Sequence, residues 1–133
     1  GNENEDKIVH SIPYVECSRL LEGEKTICID FRKNKWQRIR FPDGHDNLYA
    51  LDINTDQFAP FYRNGTLLIL SQESEIRRGD RIAVFMSDNS IVIREFVHRT
   101  ATTLELKDVL SADKTSVNVE DIRIVHRIVW ASQ

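Results

Sequence analysis

Apolar and polar residues alternate with a period close to two along most of the chain. The pattern is clearest in residues 26–31 ("TICIDF"), 48–53 ("LYALDI") and 81–86 ("RIAVFM"). Alternation of this kind places every second side chain on one face of a β-strand, so it predicts a mainly β protein. The side chains predicted to share a face are Ile27, Ile29 and Phe31 in the first run, Tyr49, Leu51 and Ile53 in the second, and Ile82, Val84 and Met86 in the third.

Turn-forming residues separate these runs. They lie at residues 41–47, 63–65, 77–80 and 87–90, and the last of them ("SDNS") predicts a hairpin between two long strands. Residues 121–131 ("DIRIVHRIVWA") predict one long final strand. The apolar side chains expected to share a face of that strand with His126 are Ile122, Ile124, Ile128 and Trp130.

Helical structure is expected only as short turns. Pro13 disfavours a helix in residues 8–16, whereas residues 17–23 ("CSRLLEG") end in a glycine stop and predict one short helical turn.

Length and composition predict one domain. At 133 residues, with 41% apolar and 29% charged residues, the chain can bury a modest core. Residues 1–7 ("GNENEDK") are polar and acidic and predict a disordered lead-in or the end of a linker, so the ordered domain is expected over residues 8–133. Because the chain opens on glycine rather than methionine, we expect it to be a fragment of a longer protein.

Charge and residue spacing argue against several functions. The net charge of -3 and scattered Lys and Arg residues give no basic surface with which this piece alone would bind DNA. No apolar run reaches the roughly 18 residues of a membrane span and no signal peptide opens the chain, so we expect a cytoplasmic protein without a membrane partner. Cys17 and Cys28 are expected to be free buried thiols. With the 4 histidines far apart, we expect no metal site and no cofactor.

The order of these features resembles a known family. The loop "INTDQFAP" at residues 53–60 precedes "RNGTLLIL", "IRRGDRIAVF" and a hairpin into "SIVIREF". This order resembles the peptidase domain of the LexA-like repressors, the S24 peptidase family that includes phage repressors and UmuD. In that family a V-x-G-D-S-M-x-P loop carries a nucleophilic serine, and a lysine on a later strand is its general base. The resemblance covers about residues 8–130 and implies a LexA/signal-peptidase-like fold of twisted antiparallel sheets.

The two catalytic positions of that family hold other residues in this chain. The loop keeps the family's residue types at Ile53, Asp56 and Pro60, and differs at Thr55 (a glycine in the family), Gln57 (the serine) and Phe58 (the methionine). Arg94, in "VIREF", stands where the lysine belongs, 37 positions after Gln57. A carboxamide is no nucleophile, and a guanidinium with a pKa above about 12 cannot become a neutral base. The resemblance therefore implies a pseudo-peptidase.

Gln57 and Arg94 are expected to interact instead. A glutamine carbonyl can accept a hydrogen bond from a guanidinium, so we expect a polar clasp with Asp56 as counter-ion. The alternative is that Arg94 extends into solvent.

The self-cleavage site implied by the resemblance has changed as well. The family cleaves an Ala-Gly or Cys-Gly bond some 35 residues before the serine, which corresponds to Glu22-Gly23 here. A carboxylate entering a small apolar pocket would cost several kcal/mol unless paired. Alternatively, Gly23 simply ends a helical turn.

The resemblance implies the dimerisation and regulatory domain of a prophage-type transcriptional repressor. A helix-turn-helix domain would lie upstream and provide the only contact with DNA. The expected partner is a second copy, and the expected contact is the apolar final strand, with Trp130 and Ile128 as its anchors. The side chains of this predicted contact are Ile122, Ile124, Ile128 and Trp130. Alternatively, the final strand is ordinary core. Without cleavage, derepression is expected to need an antirepressor protein or a small ligand.

Two other functions remain open from the sequence. One is a stand-alone β domain that binds a partner or ligand and has no role with DNA. The other is a peptidase with a different nucleophile, for which Thr55, Ser71 and Ser74 are the candidates.

Overall fold

Strands dominate the part of the chain that the computed structural model describes, residues 10–17, 27–28, 35–42 and 47–132. The only helical element in this part is one turn of 3-10 helix, Val119–Asp121. The strands are β1 Ser11–Glu16, β2 Ile27–Cys28, β3 Gln37–Arg40, β4 Leu48–Ile53, β5 Thr66–Ser71, β6 Arg81–Met86, β7 Ser90–Arg99, β8 Thr103–Lys107, β9 Lys114–Asn118 and β10 Ile122–Ala131.

The strands form one mixed sheet in the order β3-β1-β4-β5-β10-β6-β7-β8-β9, with β2 paired to β7 beside this path. This confirms the predicted mainly β fold. The prediction of antiparallel sheets misses one pair, because β1 runs parallel to β4. A parallel pair needs a long crossover, and the chain between Glu16 and Leu48 is long enough to provide it.

The predicted alternation is confirmed in β4 and β6. Tyr49, Leu51 and Ile53 of β4 all belong to the largest buried cluster. Ile82 and Val84 of β6 belong to a different cluster, against which Met86 packs. In the first run only Ile27 and Cys28 are described as strand, so the predicted face of Ile29 and Phe31 lies outside the described residues. The predicted helical turn at residues 17–23 also falls largely outside them.

The largest cluster packs the β4–β5 loop onto the sheet. Leu51, Leu68 and Leu70 are fully buried in it, and each such side chain contributes about 1.5–3 kcal/mol relative to an exposed one. Phe58 and Phe61 from the loop pack against the same cluster. The loop is therefore attached to the core by its aromatic side chains.

The final strand is confirmed as one long element, but its predicted single apolar face is wrong. The register of β10 shifts between Ile122 and Ile124 against β6, and again between Ile128 and Trp130 against β5. Each bulge adds a residue and so moves the following side chains to the other face. Ile124 pairs with Phe85 and Ile128 with Leu70, both of the largest cluster, so these two share the face of His126. Ile122 and Trp130 lie on the opposite face.

The predicted hairpin and turns are confirmed where the structure describes them. The "SDNS" turn joins β6 to β7, with Asn89 at a φ of 71° and its N–H donating to the Met86 carbonyl at 3.0 Å. Gly65 and Gly79, in the predicted turns at residues 63–65 and 77–80, have φ values of 92° and 94°. These are conformations that glycine adopts without strain. Within the described residues, no helix is long and apolar enough to cross a membrane.

Candidate functional site

The loop between β4 and β5 is folded by its own hydrogen bonds. The Ala59 N–H donates to the Asp56 carbonyl at 3.0 Å and the Tyr62 N–H to the Phe58 carbonyl at 2.9 Å. The Asn54 side-chain amide donates to the Cys17 carbonyl at 3.1 Å, which ties the start of the loop to the end of β1. The loop therefore holds Gln57 in a defined position.

Aromatic contacts fix the second half of the loop. The Phe61 ring lies edge-on to the Tyr62 ring, with centroids 4.8 Å apart. The Arg81 guanidinium carbon lies 4.0 Å from the centroid of the Phe61 ring, a cation–π contact. Tyr62 is buried, which raises its pKa, while the nearby Arg81 charge lowers it. Pro60 follows Ala59 through a cis peptide bond and is exposed.

Gln57 and Arg94 line the same cavity, which has a volume of about 180 Å³. Phe58 and Tyr62 of the loop also line it, as do Ile93 of β7 and Asp108 of the turn after β8. The fold thus brings together two positions that are 37 residues apart in the chain. We call this the dyad cavity.

Gln57, which lines the dyad cavity, carries an unsatisfied polar atom. Its Oε1 is buried and accepts no hydrogen bond from any described residue. Its backbone N–H donates to the Thr55 hydroxyl at 3.3 Å. A buried acceptor without a donor costs about 1–3 kcal/mol, so a group that donated to Oε1 here would recover that free energy.

Arg94 is engaged elsewhere. Its Nη1 donates to the Ile93 carbonyl at 2.8 Å, and its Nε lies 3.9 Å from Oδ2 of Asp108. Oδ1 of Asp108 accepts from the N–H groups of Leu110 and Ser111 at 2.8 and 2.9 Å. These backbone donors lower the pKa of Asp108, and the Arg94 charge lowers it further. Asp108 is thus an anion held by its own turn and pointed at Arg94.

The expected clasp is therefore wrong in its partners. No hydrogen bond joins Arg94 to Gln57 in the described part of the chain, and the counter-ion of Arg94 is Asp108 rather than Asp56, which is exposed. No sequence pattern pointed to Asp108, because it lies in a polar turn that is distant from the loop along the chain. The Glu22-Gly23 position lies outside the described residues.

None of the alternative nucleophiles is among the described residues that line the dyad cavity. Ser71 is buried in β5, where its hydroxyl accepts from the Ser74 hydroxyl at 2.8 Å and from the Ser74 N–H at 3.0 Å. The Thr55 hydroxyl accepts from the Gln57 N–H. No described lysine lines the dyad cavity. Lys107, on β8, is paired with a carboxylate instead, with its Nζ 3.8 Å from Oε2 of Glu95. None of the three hydroxyls has a lysine base beside it within the described residues.

The cysteine prediction is confirmed for Cys17. It is a free, buried thiol whose pKa is raised to about 12 by burial and by the nearby Asp52 charge. A thiol with such a pKa is a poor nucleophile. Across the described ranges, no group of three or more His, Cys, Asp or Glu side chains could hold a metal ion.

Sequence reasoning missed a buried pair, Tyr49 and His126. The Tyr49 hydroxyl lies 2.6 Å from Nδ1 of His126, although the two residues are 77 positions apart in the chain. The available signal was the position of His126 among apolar residues of β10, which predicts a buried imidazole. Its partner depends on strand pairing that the local pattern does not encode.

Comparison with known proteins identifies a family for most of the chain. A search of curated proteins finds no match. The family model described as Peptidase S24-like matches residues 20–129, which is more than half of the chain and includes both Gln57 and Arg94. The chain therefore belongs to the Peptidase S24-like family.

Proposed function

We propose that this S24-like domain does not cleave itself and serves as the dimerisation and regulatory domain of a prophage-type transcriptional repressor. The observation that supports the absence of self-cleavage is the chemistry of the dyad cavity. The resemblance aligns Gln57, a carboxamide, with the family's serine and Arg94, a guanidinium, with its lysine. The Arg94 side chain donates to the Ile93 carbonyl and lies 3.9 Å from Oδ2 of Asp108. A guanidinium remains protonated at any working pH, so it cannot accept a proton from a nucleophile.

Incubation of the chain at mildly alkaline pH tests the loss of cleavage. Alkaline pH favours a lysine-dependent peptidase, because more of its lysine is neutral. We expect the intact mass to remain unchanged. Cleavage near Glu22-Gly23 would contradict the proposal, provided that it is lost in Gln57→Ala or Arg94→Ala. Cleavage that persists in both variants but is lost in Thr55→Ala, Ser71→Ala or Ser74→Ala would contradict the proposal equally. Cleavage that persists in all of these variants would indicate a contaminating protease, to be removed before the measurement is repeated.

A second copy of the chain is the proposed partner. The sheet leaves Trp130 48% exposed on β10, while Ile128 packs against the largest cluster. Large exposed aromatic side chains are typical anchors of protein interfaces. We therefore narrow the predicted contact (Ile122, Ile124, Ile128 and Trp130) to the face that carries Ile122 and Trp130.

Sedimentation equilibrium at micromolar concentration tests dimerisation. Trp130→Ala should weaken the dimer by about tenfold or more, since interface anchors contribute about 2 kcal/mol or more. Ile124→Ala is the matched control, because Ile124 is 41% exposed on the opposite face of the same strand. A strictly monomeric wild type would refute the proposal, and equal effects of the two variants would refute the choice of face.

The repressor role implies a DNA-binding helix-turn-helix domain upstream, and derepression through an antirepressor protein. The gene sequence immediately before "NENEDK" tests the first point. A gene without such a domain would favour the second candidate, a stand-alone β domain that binds a partner or ligand.

A further inference from the structure

A second cavity, larger than the dyad cavity, lies beside β1, β3, β4 and β10. Its volume is about 740 Å³, within the range of sites that bind drug-sized molecules. Its lining residues include Trp36, Tyr49, Ile124 and His126, and none of the described lining residues is shared with the dyad cavity. We call it the His126 cavity.

A buried polar pair forms part of its wall. His126 is 6% exposed and Tyr49 is 3% exposed, and the Tyr49 hydroxyl meets Nδ1 of His126 at 2.6 Å. The other ring nitrogen, Nε2, is buried and has no hydrogen-bond partner among the described residues. An unpaired buried nitrogen is costly, and in the wall of a cavity a ligand can satisfy it.

The bond to Tyr49 determines which hydrogen-bonding group Nε2 offers. A phenol is a stronger acid than a neutral imidazole N–H, and an imidazole nitrogen is a stronger base than a phenol oxygen. The Tyr49 hydroxyl therefore donates to Nδ1, and the hydrogen of the neutral imidazole lies on Nε2. The His126 cavity thus offers a buried N–H donor.

The rest of the lining combines apolar and positively charged side chains with two neutral amides, Gln37 and Gln72. Trp36 and Ile124 are 39% and 41% exposed, so both present apolar surface that a ligand could cover. Arg38 and Arg123 also line the cavity, and neither has a carboxylate partner within the described residues. Arg38 donates from Nε and Nη2 to Ser11, which fixes its guanidinium beside the cavity.

From these features we propose that the His126 cavity binds a small amphipathic organic anion. Its ring system packs against Trp36 and Ile124, and an anionic oxygen accepts from His126 Nε2–H in the positive field of Arg38 and Arg123. This assignment goes beyond the function proposed above and does not depend on it, because the dyad cavity takes no part.

The experiment uses 1-naphthylacetate as the probe and its neutral amide, 1-naphthylacetamide, as the matched ligand. Calorimetry measures affinity, and spectra of ¹⁵N-labelled histidine locate the site through the Nε2 resonance of His126. We expect the acid to bind with a dissociation constant of about 1 mM or tighter and to shift the Nε2 resonance. The amide should bind at least about threefold more weakly.

A pair of arginine variants tests whether the positive charge of Arg123 contributes to binding of the acid. Arg123→Gln should weaken binding of the acid by about threefold to fivefold, whereas Arg99→Gln, an exposed arginine outside the cavity, should leave it unchanged. His126→Phe should abolish the preference for the acid over the amide. If this variant does not fold, the comparison of Arg123→Gln with Arg99→Gln still tests whether the acid binds in the His126 cavity. Absence of binding at 10 mM probe, equal affinity for acid and amide, or equal effects of the two arginine variants would each overturn the proposal.

Discussion

The unsatisfied carbonyl oxygen of Gln57 makes a direct test of the dyad cavity possible. Oε1 is buried without a donor in the described structure, and the side chain lies among Phe58, Tyr62 and Leu110. Gln57→Met keeps the length of the side chain but replaces the amide with a thioether and a methyl group. The change removes the unsatisfied acceptor and places an apolar side chain in a cavity whose lining is apolar except for Arg94 and Asp108.

The size of the effect follows from the cost of that acceptor. A buried polar atom without a partner costs about 1–3 kcal/mol, and the part of the amide that is not buried loses some hydration in the exchange. We expect Gln57→Met to raise the free energy of unfolding by about 1 kcal/mol. For a chain of 133 residues this corresponds to a rise in Tm of about 3–5 °C.

Urea denaturation followed by fluorescence measures the change, with the m-value as a check that unfolding remains two-state. Gln37→Met is the matched control, because Gln37 is exposed and its substitution should change stability by less than about 0.5 kcal/mol. A Gln57→Met variant that is less stable than wild type by 1 kcal/mol or more would refute the reasoning. It would mean that the Gln57 amide makes a stabilising interaction in solution.

Two further predictions concern the core. Burial holds the pKa of His126 below its ordinary value of 6.5, so the unfolded chain binds more protons near that pH and stability should fall as the pH drops from 7 towards 5. His126→Phe should flatten this part of the pH profile, and an unchanged slope in thermal unfolding would contradict it. Leu70→Ala, at a fully buried position, should cost about 2–5 kcal/mol in chemical denaturation. Leu110→Ala, at a residue 59% exposed, should cost less than about 0.5 kcal/mol, and comparable losses would refute the assignment of the core.

The strands could be predicted because their signal is local. In β4 and β6, successive residues face different environments, whereas residues two positions apart share one. Leu51 lies in the same cluster as Tyr49 and Ile53. Val84 lies in the same cluster as Ile82, and Met86 packs against that cluster. Each strand needs only its own sequence to display this period. The same holds for the turn at residues 87–90 between β6 and β7.

The faces of β10 could not be predicted in this way. Counting every second residue from Ile122 assumes an unbroken ladder, but β10 pairs with β6 along its first part and with β5 along its last part. Each pairing contains a bulge that shifts the count by one. Whether a strand bulges depends on the register of its neighbours, which the apolar pattern of that strand does not contain.

The candidate site could likewise be predicted only in part. The resemblance pointed to Gln57 and Arg94 from the order of motifs, and the structure places both on one cavity. The electrostatic partner of Arg94 could not be predicted, because Asp108 approaches it only through the turn that follows β8. Strand order and turn geometry, rather than residue type, select that carboxylate over Asp56.

The β4–β5 loop is held in place by its aromatic side chains rather than by Gln57. Phe58 and Phe61 pack against the largest buried cluster, and Tyr62 is itself a member of it. Deleting buried aromatic side chains typically costs about 3–5 kcal/mol, which is a large part of the stability of a small domain. Gln57 is not part of this cluster, so the packing that holds the loop does not depend on the side chain at position 57. The loop can therefore keep its path when the residue at that position changes.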